Sequence, residues 1–476
     1  GSYAVIATVT DSAGNSKSTT SQNVVIDTKI DTDNDGKTVT FDSITNDTGS
    51  SNSDLITNDN SLLFKGTVDL ADGNSLSVKI GSTTYLATDP RLTVDGSGNW
   101  TLDLTGSTLL DGSYAVIATV TDSAGNSKST TSQNVVIDTK IDTDNDGKTV
   151  TFDSITNDTG SSNSDFITND NSLLFKGTVD LADGNSLSVK VGSTTYLATD
   201  PRLTIDGSGN WTLDLTGSTL LDGSYAVVAT VTDAAGNTAS STSQNVVIDT
   251  KIDTDNDGKT VTFDSITNDT GSSNSDFITN DNSLLFKGTV DLADGNSLSV
   301  TVGATIYSTA DPRLTIDPLT GAWTLDLTGT SLADGSYAVV ATVTDAAGNS
   351  QSTTSQNVVI DTKIDTDNDG KTVTFDSITN DTGSSNSDLI TNDNSLLFKG
   401  TVDLADGNSL SVTVGATTYS TADPRLTIDP LTGAWTLDLT GTSLADGSYA
   451  VVATVTDAAG NSKSTTSQNV VIDTKI

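Results

Sequence analysis

The sequence predicts an all-β protein built as tandem sandwich domains. Three observations carry this: a repeat at a fixed step, apolar residues with period two, and a composition hostile to helix. The string Gly-Ser-Tyr-Ala-Val begins at Gly1, Gly112, Gly223, Gly335 and Gly447, so the 476 residues form four units at steps of 111 or 112, with a short tail. A chain of this length ordinarily holds about three or four domains. In the first copy Val39 and Phe41 alternate, then Leu62, Phe64 and Val68, then Leu76, Val78 and Ile80. Trp100, Leu102 and Leu104 follow, then Tyr114, Val116, Ala118 and Val120, then Val135 and Ile137. Such alternation marks strands with one buried face. Asp72-Gly73-Asn74, Gly81-Ser82, Gly96-Ser97-Gly98-Asn99, Asp111-Gly112 and Ala124-Gly125-Asn126 supply the turns between them. A chain rich in Thr, Val, Ser, Asn and Asp, and without Glu, disfavours helix.

About seven short strands per unit suit an immunoglobulin-like sandwich. Cys is absent, so the Trp and Tyr must help fill the core. Differences between the first two copies, such as Leu55 against Phe166 or Ile80 against Val191, are swaps that a packed core tolerates. The extra residue of the longer step falls where Asp95-Gly-Ser-Gly-Asn-Trp100 becomes Asp317-Pro-Leu-Thr-Gly-Ala-Trp323, an exposed turn.

Val24–Asp27 reads as a final strand and Thr38–Phe41 as the next first strand, which makes Thr28–Gly36 a linker. The domains are then 28–138, 139–249, 250–361 and 362–476, the last carrying the start of another linker. Residues 1–27 become the last two strands of a preceding copy, too little to be stable alone. The opening string reads as the middle of something larger. Starting each domain at Gly1 would instead make the Asp-rich stretch an internal loop, but polar Asp and Gly runs usually fall between domains. The set reads as a linear, rod-like array of units roughly 40 Å long.

Composition narrows the chemistry. All 62 acidic residues are Asp against 22 Lys and Arg, a net charge of −40, which argues against a nucleic-acid partner. No Cys, His or Met is present, so thiolate and imidazole metal sites and Ser-His-Asp or Cys-His catalysis are excluded. Apolar runs are only a few residues long, which excludes a membrane-spanning helix. Carboxylates, hydroxyls and amides remain, and they suit a hard cation bound by oxygen.

The linker segment Asp31-Thr-Asp33-Asn-Asp35-Gly36 has the D-x-D-x-D-G pattern of a calcium loop, with Asp42 at its twelfth position. Alternate Asp residues aim several oxygens at one point, and the Gly allows the turn. The pattern recurs at Asp142, Asp144 and Asp146, at Asp253, Asp255 and Asp257, and at Asp365, Asp367 and Asp369. Asp27, Asp138, Asp249 and Asp361, which end each last strand, join the candidate ligands. No helix-loop-helix flanks the motif, and a solvated acidic linker is the bland alternative. Against it, two carboxylates about 5 Å apart repel by about 1 to 3 kcal/mol, and a divalent ion reverses that sign.

A second acidic set lies between the first two strands: Asp47, Asp54 and Asp59, with copies Asp158, Asp165 and Asp170, Asp269, Asp276 and Asp281, and Asp381, Asp388 and Asp393. In an immunoglobulin-like topology this loop sits at the pole where the last strand leaves, beside the following linker. Its Asp residues are either further junction ligands or formers of a polar turn, and both readings stay open. Asp69, Asp72 and Asp122 read as turn residues. Asp89-Pro90-Arg91 reads as an internal salt bridge, Trp100 as core, and Asn46-Asp47-Thr48 as a chance sequon. Paired carboxylates can serve a glycosidase, but four near-equal copies without a cleft-building insertion argue against an enzyme.

Val-Thr-Asp-Ser-Ala-Gly-Asn (Val120 to Asn126), Asn-Val-Val-Ile-Asp-Thr (Asn134 to Thr139), Ile-Thr-Asn-Asp-Thr-Gly (Ile44 to Gly49) and Phe-Ile-Thr-Asn-Asp (Phe166 to Asp170) together resemble a known family. They look like the bacterial immunoglobulin-like repeats of giant type I-secreted RTX and biofilm-associated adhesins of Gram-negative bacteria. The resemblance covers the whole chain. It implies an extracellular, monomeric extender arm on the cell surface, anchored in the outer membrane through other parts of the parent protein. In that family calcium at the domain junctions stiffens the arm and holds an adhesive tip away from the cell, and the linker Asp residues would be its ligands. Nonapeptide calcium repeats and tip domains are missing from this sequence, so adhesion itself is not assigned. Extracellular calcium modules bind at about 10⁻⁴ to 10⁻³ M, so such sites fill outside the cell and not within it. The runner-up reading is a module that binds glycan or host protein directly through its loops.

Overall fold

The computed structural model describes residues 1–31, 33–71, 75–142, 144–182, 186–253, 255–293, 297–365, 367–405 and 409–475. The turn expected at Asp72-Gly73-Asn74 lies outside the described residues, as does Thr32 of the linker. All regular structure described is β, and no helix is long and apolar enough to cross a membrane. The chain divides into two compact units, Gly1–Asp158 with Ser162–Ile248, and Thr159–Ser161 with Asp249–Ile476.

The first complete repeat shows the plan. Its strands are β1 (Ser43–Ile44), β2 (Ile56–Thr57), β3 (Leu63–Thr67), β4 (Ser75–Ile80), β5 (Thr83–Leu86), β6 (Leu92–Val94), β7 (Asn99–Asp103), β8 (Gly112–Thr121), β9 (Ser127–Ser129) and β10 (Gln133–Ile137). One sheet runs β6-β7-β3-β1 and the other β2-β10-β8-β4-β5, with β9 also on β8. Every pairing is antiparallel except β2 with β10, where Ile56 and Thr57 lie beside Val136 and Ile137. The other three repeats have the same sheets.

The period-two reading places the core faces. Phe64, Val78, Leu102, Leu104, Val116, Ala118, Val120 and Val135 are fully buried, and Trp100 nearly so. The first strand departs from expectation: residues 38–41 run beside the end of β3 around an isolated Val39–Val68 bridge, and β1 begins at Ser43. Phe41 is buried nonetheless, and its ring stacks on Trp100 at 6.3 Å. Tyr114 is half-buried and fixes a corner by donating its hydroxyl to the Leu110 carbonyl at 2.8 Å.

Residues 1–27 form two short ladders, Ser2–Val5 with Gln22–Val25 and Thr8–Thr10 with Ser16–Ser18. They match β8, β9 and β10 in sequence, and no counterparts of β3, β4 and β7 cover them among the described residues. Val9 is accordingly 72% exposed, whereas the corresponding Val120 is fully buried.

Gly66 explains how the Trp fits. A Cβ there would fall 2.2 Å from the Thr40 carbonyl oxygen and 2.6 Å from the Trp100 ring, whose Nε1 donates to that same carbonyl at 2.9 Å. Gly66→Ala should therefore destabilise the first repeat by about 1 to 3 kcal/mol through overpacking. In urea unfolding followed by Trp fluorescence it should add a separate, earlier transition. Gly96→Ala, with nothing within 4 Å of its Cβ, should leave the curve unchanged.

Candidate metal centre and repeat junction

The acidic linker folds as a tight loop because Asn34 and Gly36 take left-handed conformations, at φ 61° and 80°. Asn tolerates that region and Gly is free in it. The Gly36 N–H then donates to Asp31 Oδ2 at 3.1 Å, and the Asp35 N–H to Asp33 Oδ1 at 3.1 Å. Asp31, Asp33 and Asp35 each bring one carboxylate oxygen within 4.8 Å of the others. The same holds for Asp142, Asp144 and Asp146, for Asp253, Asp255 and Asp257, and for Asp365, Asp367 and Asp369.

Within each trio the three carboxylates differ. Oδ1 of Asp31, and of Asp142, Asp253 and Asp365, is buried without a hydrogen-bond partner. Asp33 accepts the Asp35 N–H, which favours its charged form. Desolvation, the charges of Asp35 and Asp69, and the shared contact with Asp31 outweigh that bond and raise its pKa. Asp35 is held low by Lys37, whose backbone N–H and Nζ take its two oxygens at 2.8 and 2.9 Å. A cation entering the trio must displace this lysine or share Asp35 with it.

Asp42, at the twelfth position of the loop motif, stands apart. Its backbone is already extended and bonded to Lys65, and three residues of extended chain from Val39 carry it about 10 Å away. Asp69 is a further carboxylate whose charge reaches the trio. The Val39–Val68 bridge sets the end of β3 beside the linker, and the Asp69 charge acts on both Asp33 and Lys37. Asp180 and Asp291 act likewise on Asp144 and Asp255, and Asp403 on Lys371. The turn reading of Asp69 is also correct, since its Oδ1 accepts the Ala71 N–H. What it missed was the charge beside the trio, and the recurring Val-Asp at the end of each β3 was the available signal.

The remaining candidates divide. Asp27, Asp138, Asp249 and Asp361 lie outside the trios, with Oδ1 accepting the N–H two residues on. Their backbone carbonyls accept from Nδ2 of Asn126, Asn237, Asn349 and Asn461, at 3.2, 2.8, 2.8 and 2.7 Å. Asp59 is a turn former, accepting from Asn46 Nδ2 at 2.6 Å and the Ser61 N–H at 2.9 Å. Asp170, Asp281 and Asp393 repeat the contact with Asn157, Asn268 and Asn380. Asp47 and Asp54 behave differently from Asp59. Asp47 Oδ2 accepts the Leu55 N–H at 3.0 Å, while its Oδ1 is buried without a partner, as in Asp158, Asp269 and Asp381. Asp54, Asp276 and Asp388 cap the next strand, each Oδ1 accepting the N–H two residues on, from Ile56, Ile278 and Ile390. In the second copy burial pushes the Asp158 carboxyl up, and the adjoining Asp165 adds to this.

The polar loop reaches the pole where β10 leaves, since the Asp138 N–H donates to the Thr57 carbonyl at 3.0 Å. In the first unit Asn58, Asp142, Asn145, Gly236 and Asn237 line one recess there. In the second unit Asn280, Asp365, Asn368, Gly460 and Asn461 line its equivalent. Asn46 of the sequon is engaged in the turn, and Asp122 organises its own turn, accepting from the Asn126 N–H and Nδ2 at 2.9 and 2.7 Å. Arg91 makes the expected bidentate pair with Asp89, at 3.0 and 2.8 Å, and also stacks over Tyr85.

A bacterial Ig-like domain model matches residues 37–139, 148–250, 259–362 and 371–474, and a second model of that description matches 1–28. Among solved structures, a tetra-tandem repeat from the extending region of a large adhesion protein is 20% identical, covering 92% of this chain and all of that one, with a TM-score of 0.29. A 1.5-MDa bacterial ice-binding adhesin is 22% identical over 68% of this chain and 97% of its own, with a TM-score of 0.27. An I-band fragment from titin is 11% identical over 64% and 93%, with a TM-score of 0.34. Comparison with curated protein sequences gave no match.

Two titrations follow from this geometry. Asp89 is lowered from 3.8 to about 2, chiefly by its bonds from Arg91. The contribution of that pair to stability is therefore present above pH 3.8 and is lost as pH falls towards 2. Asp89→Asn should flatten the fall of the urea midpoint across that window. By ¹³C NMR in chelator, the Asp33 carboxyl should titrate above 3.8 and Asp35 below it. Equal values would contradict the loop geometry.

Proposed function

The chain belongs to the bacterial Ig-like domain family, and from that premise we propose that it is a structural extender segment of a bacterial surface adhesin, stiffened by calcium at its repeat junctions. The observation that carries this reading is the recurrent linker trio, in which one buried oxygen of Asp31, Asp142, Asp253 or Asp365 has no hydrogen-bond partner. A divalent cation supplies that partner and replaces the repulsion of the trio by attraction. Asp31, Asp33 and Asp35 would hold it in the first linker, with Asp69 beside them. The donors are all oxygen, as a hard cation requires.

Between the cytoplasm and the outside, calcium loading acts as a switch. Repulsion within the metal-free trios opposes closure of the linker loops during export, and calcium closes and stiffens them once the chain is outside. The reading is non-enzymatic, with calcium and the neighbouring repeats as partners and repeat limits at 28–138, 139–249, 250–361 and 362–476. All four Trp side chains are buried, which removes the stacking platform that a glycan-binding reading would use.

Small-angle scattering of the whole chain should show a longer, narrower particle in calcium than in chelator, and an unchanged profile would sink the proposal. Pairing Asp142→Asn with Asp144→Asn should remove one step from the calcium-binding isotherm. Lys37→Ala should tighten the first site, because it removes the cation that competes for Asp35.

A further inference from the structure

Within each compact unit, consecutive repeats meet through a contact that contains no carboxylate pair. In the first unit the Thr48 hydroxyl donates to the Ala235 carbonyl at 2.6 Å. Gly49, at φ 86°, lies so close that a Cβ would fall 1.9 Å from the Ala234 carbonyl oxygen. From the other side, a Cβ on Gly236 would fall 2.9 Å from the Gly49 nitrogen. Asn237 reaches past this contact to the Asp138 carbonyl, where the first repeat ends. The second unit repeats the arrangement. Thr270 donates to the Ala459 carbonyl at 2.5 Å, Gly271 lies against Ala458, and Asn461 donates to the Asp361 carbonyl at 2.7 Å.

We propose that this contact is a metal-independent latch: the Thr-Gly step in the polar loop of one repeat docks on the Ala-Ala-Gly-Asn turn of the next and fixes the angle between them. Its shape is specific. Backbone meets backbone at a distance that only glycine allows, so the surface accepts that turn and little else. A buried carboxylate holds the turn ready, because Asp233 is 5% exposed and accepts the Asn237 N–H and Nδ2 at 2.9 and 2.8 Å. Two hydrogen bonds between the repeats and a close glycine contact act without any ion, so the latch does not depend on calcium. Where Gly383 has nothing within 4 Å, the Thr382 hydroxyl bonds within its own repeat among the described residues.

The test uses the whole chain in chelator, with nitroxide labels at Thr84→Cys and Thr195→Cys, both exposed, in a protein that has no other Cys. Pulsed electron resonance should give a narrow distance distribution for the parent. In Gly49→Ala, and separately in Gly236→Ala, its width should roughly double. Gly383→Ala imposes a comparable left-handed strain without a junction contact, and should leave the width at the parent value. A parent distribution already as broad as the variants, or one that stays narrow in both, overturns the latch. Circular dichroism melting of each variant checks that the sandwiches are folded when the distances are read.

Discussion

The junction depends on two residues of parallel pairing. Ile56 and Thr57 lie beside Val136 and Ile137, and the bonds from the Val136 N–H to the Leu55 carbonyl and from the Asp138 N–H to the Thr57 carbonyl tie the polar loop to the exit of the last strand. β1 and β2 belong to opposite sheets, so the loop between them has to cross the sandwich, and that loop carries Asp47, Thr48, Gly49 and Asp54. The entry into β2 is strained, since Leu55 sits at φ 60° and its counterparts Phe166, Phe277 and Leu389 at 58° to 62°. A bulky residue in that region costs of order 1 to 3 kcal/mol. Asp47 accepting the Leu55 N–H and the packing of Leu55 on the core offset it. In the second and third copies Phe166 and Phe277 stack on Phe152 and Phe263 at 5.3 Å, which is why Leu and Phe interchange there.

Charge and packing divide the work at the repeat pole. The carboxylate trios repel in the bare protein, and Lys37, Lys148, Lys259 and Lys371 each neutralise one member. Such exposed ion pairs are worth little on their own, so they hold the loop shape without closing it to a competing cation. The latch beside them uses short hydrogen bonds and close backbone contact, which salt does not screen. A junction with both elements has one part that responds to ions and one that does not.

Much of this was legible in the sequence. The period-two faces, the buried Trp, the Arg91–Asp89 pair and the position of the polar loop beside the last strand all follow from local pattern and topology. The linker trio was legible because its members are two residues apart. Asp69 was not, because it joins them through a bridge between residues 29 positions apart, Val39 and Val68. Asp42 holds the twelfth position of the motif in sequence only, because the chain there has already entered an extended segment bonded to Lys65. The latch was hidden for another reason: Gly49 and Gly236 look like ordinary turn glycines, and their tight fit depends on a neighbour 187 residues away, the separation of Thr48 and Ala235.

The latch also has a consequence for how such a chain changes length. Its two halves lie at opposite ends of a repeat, the Thr-Gly loop at the exit and the Ala-Gly-Asn turn at the entrance, and head-to-tail contacts of this kind propagate instead of closing. If a gene loses or gains a whole repeat in frame, every new neighbour still brings an exit of one sequence to an entrance of the other. Reach can then be altered by recombination alone, with no compensating substitution at the seam.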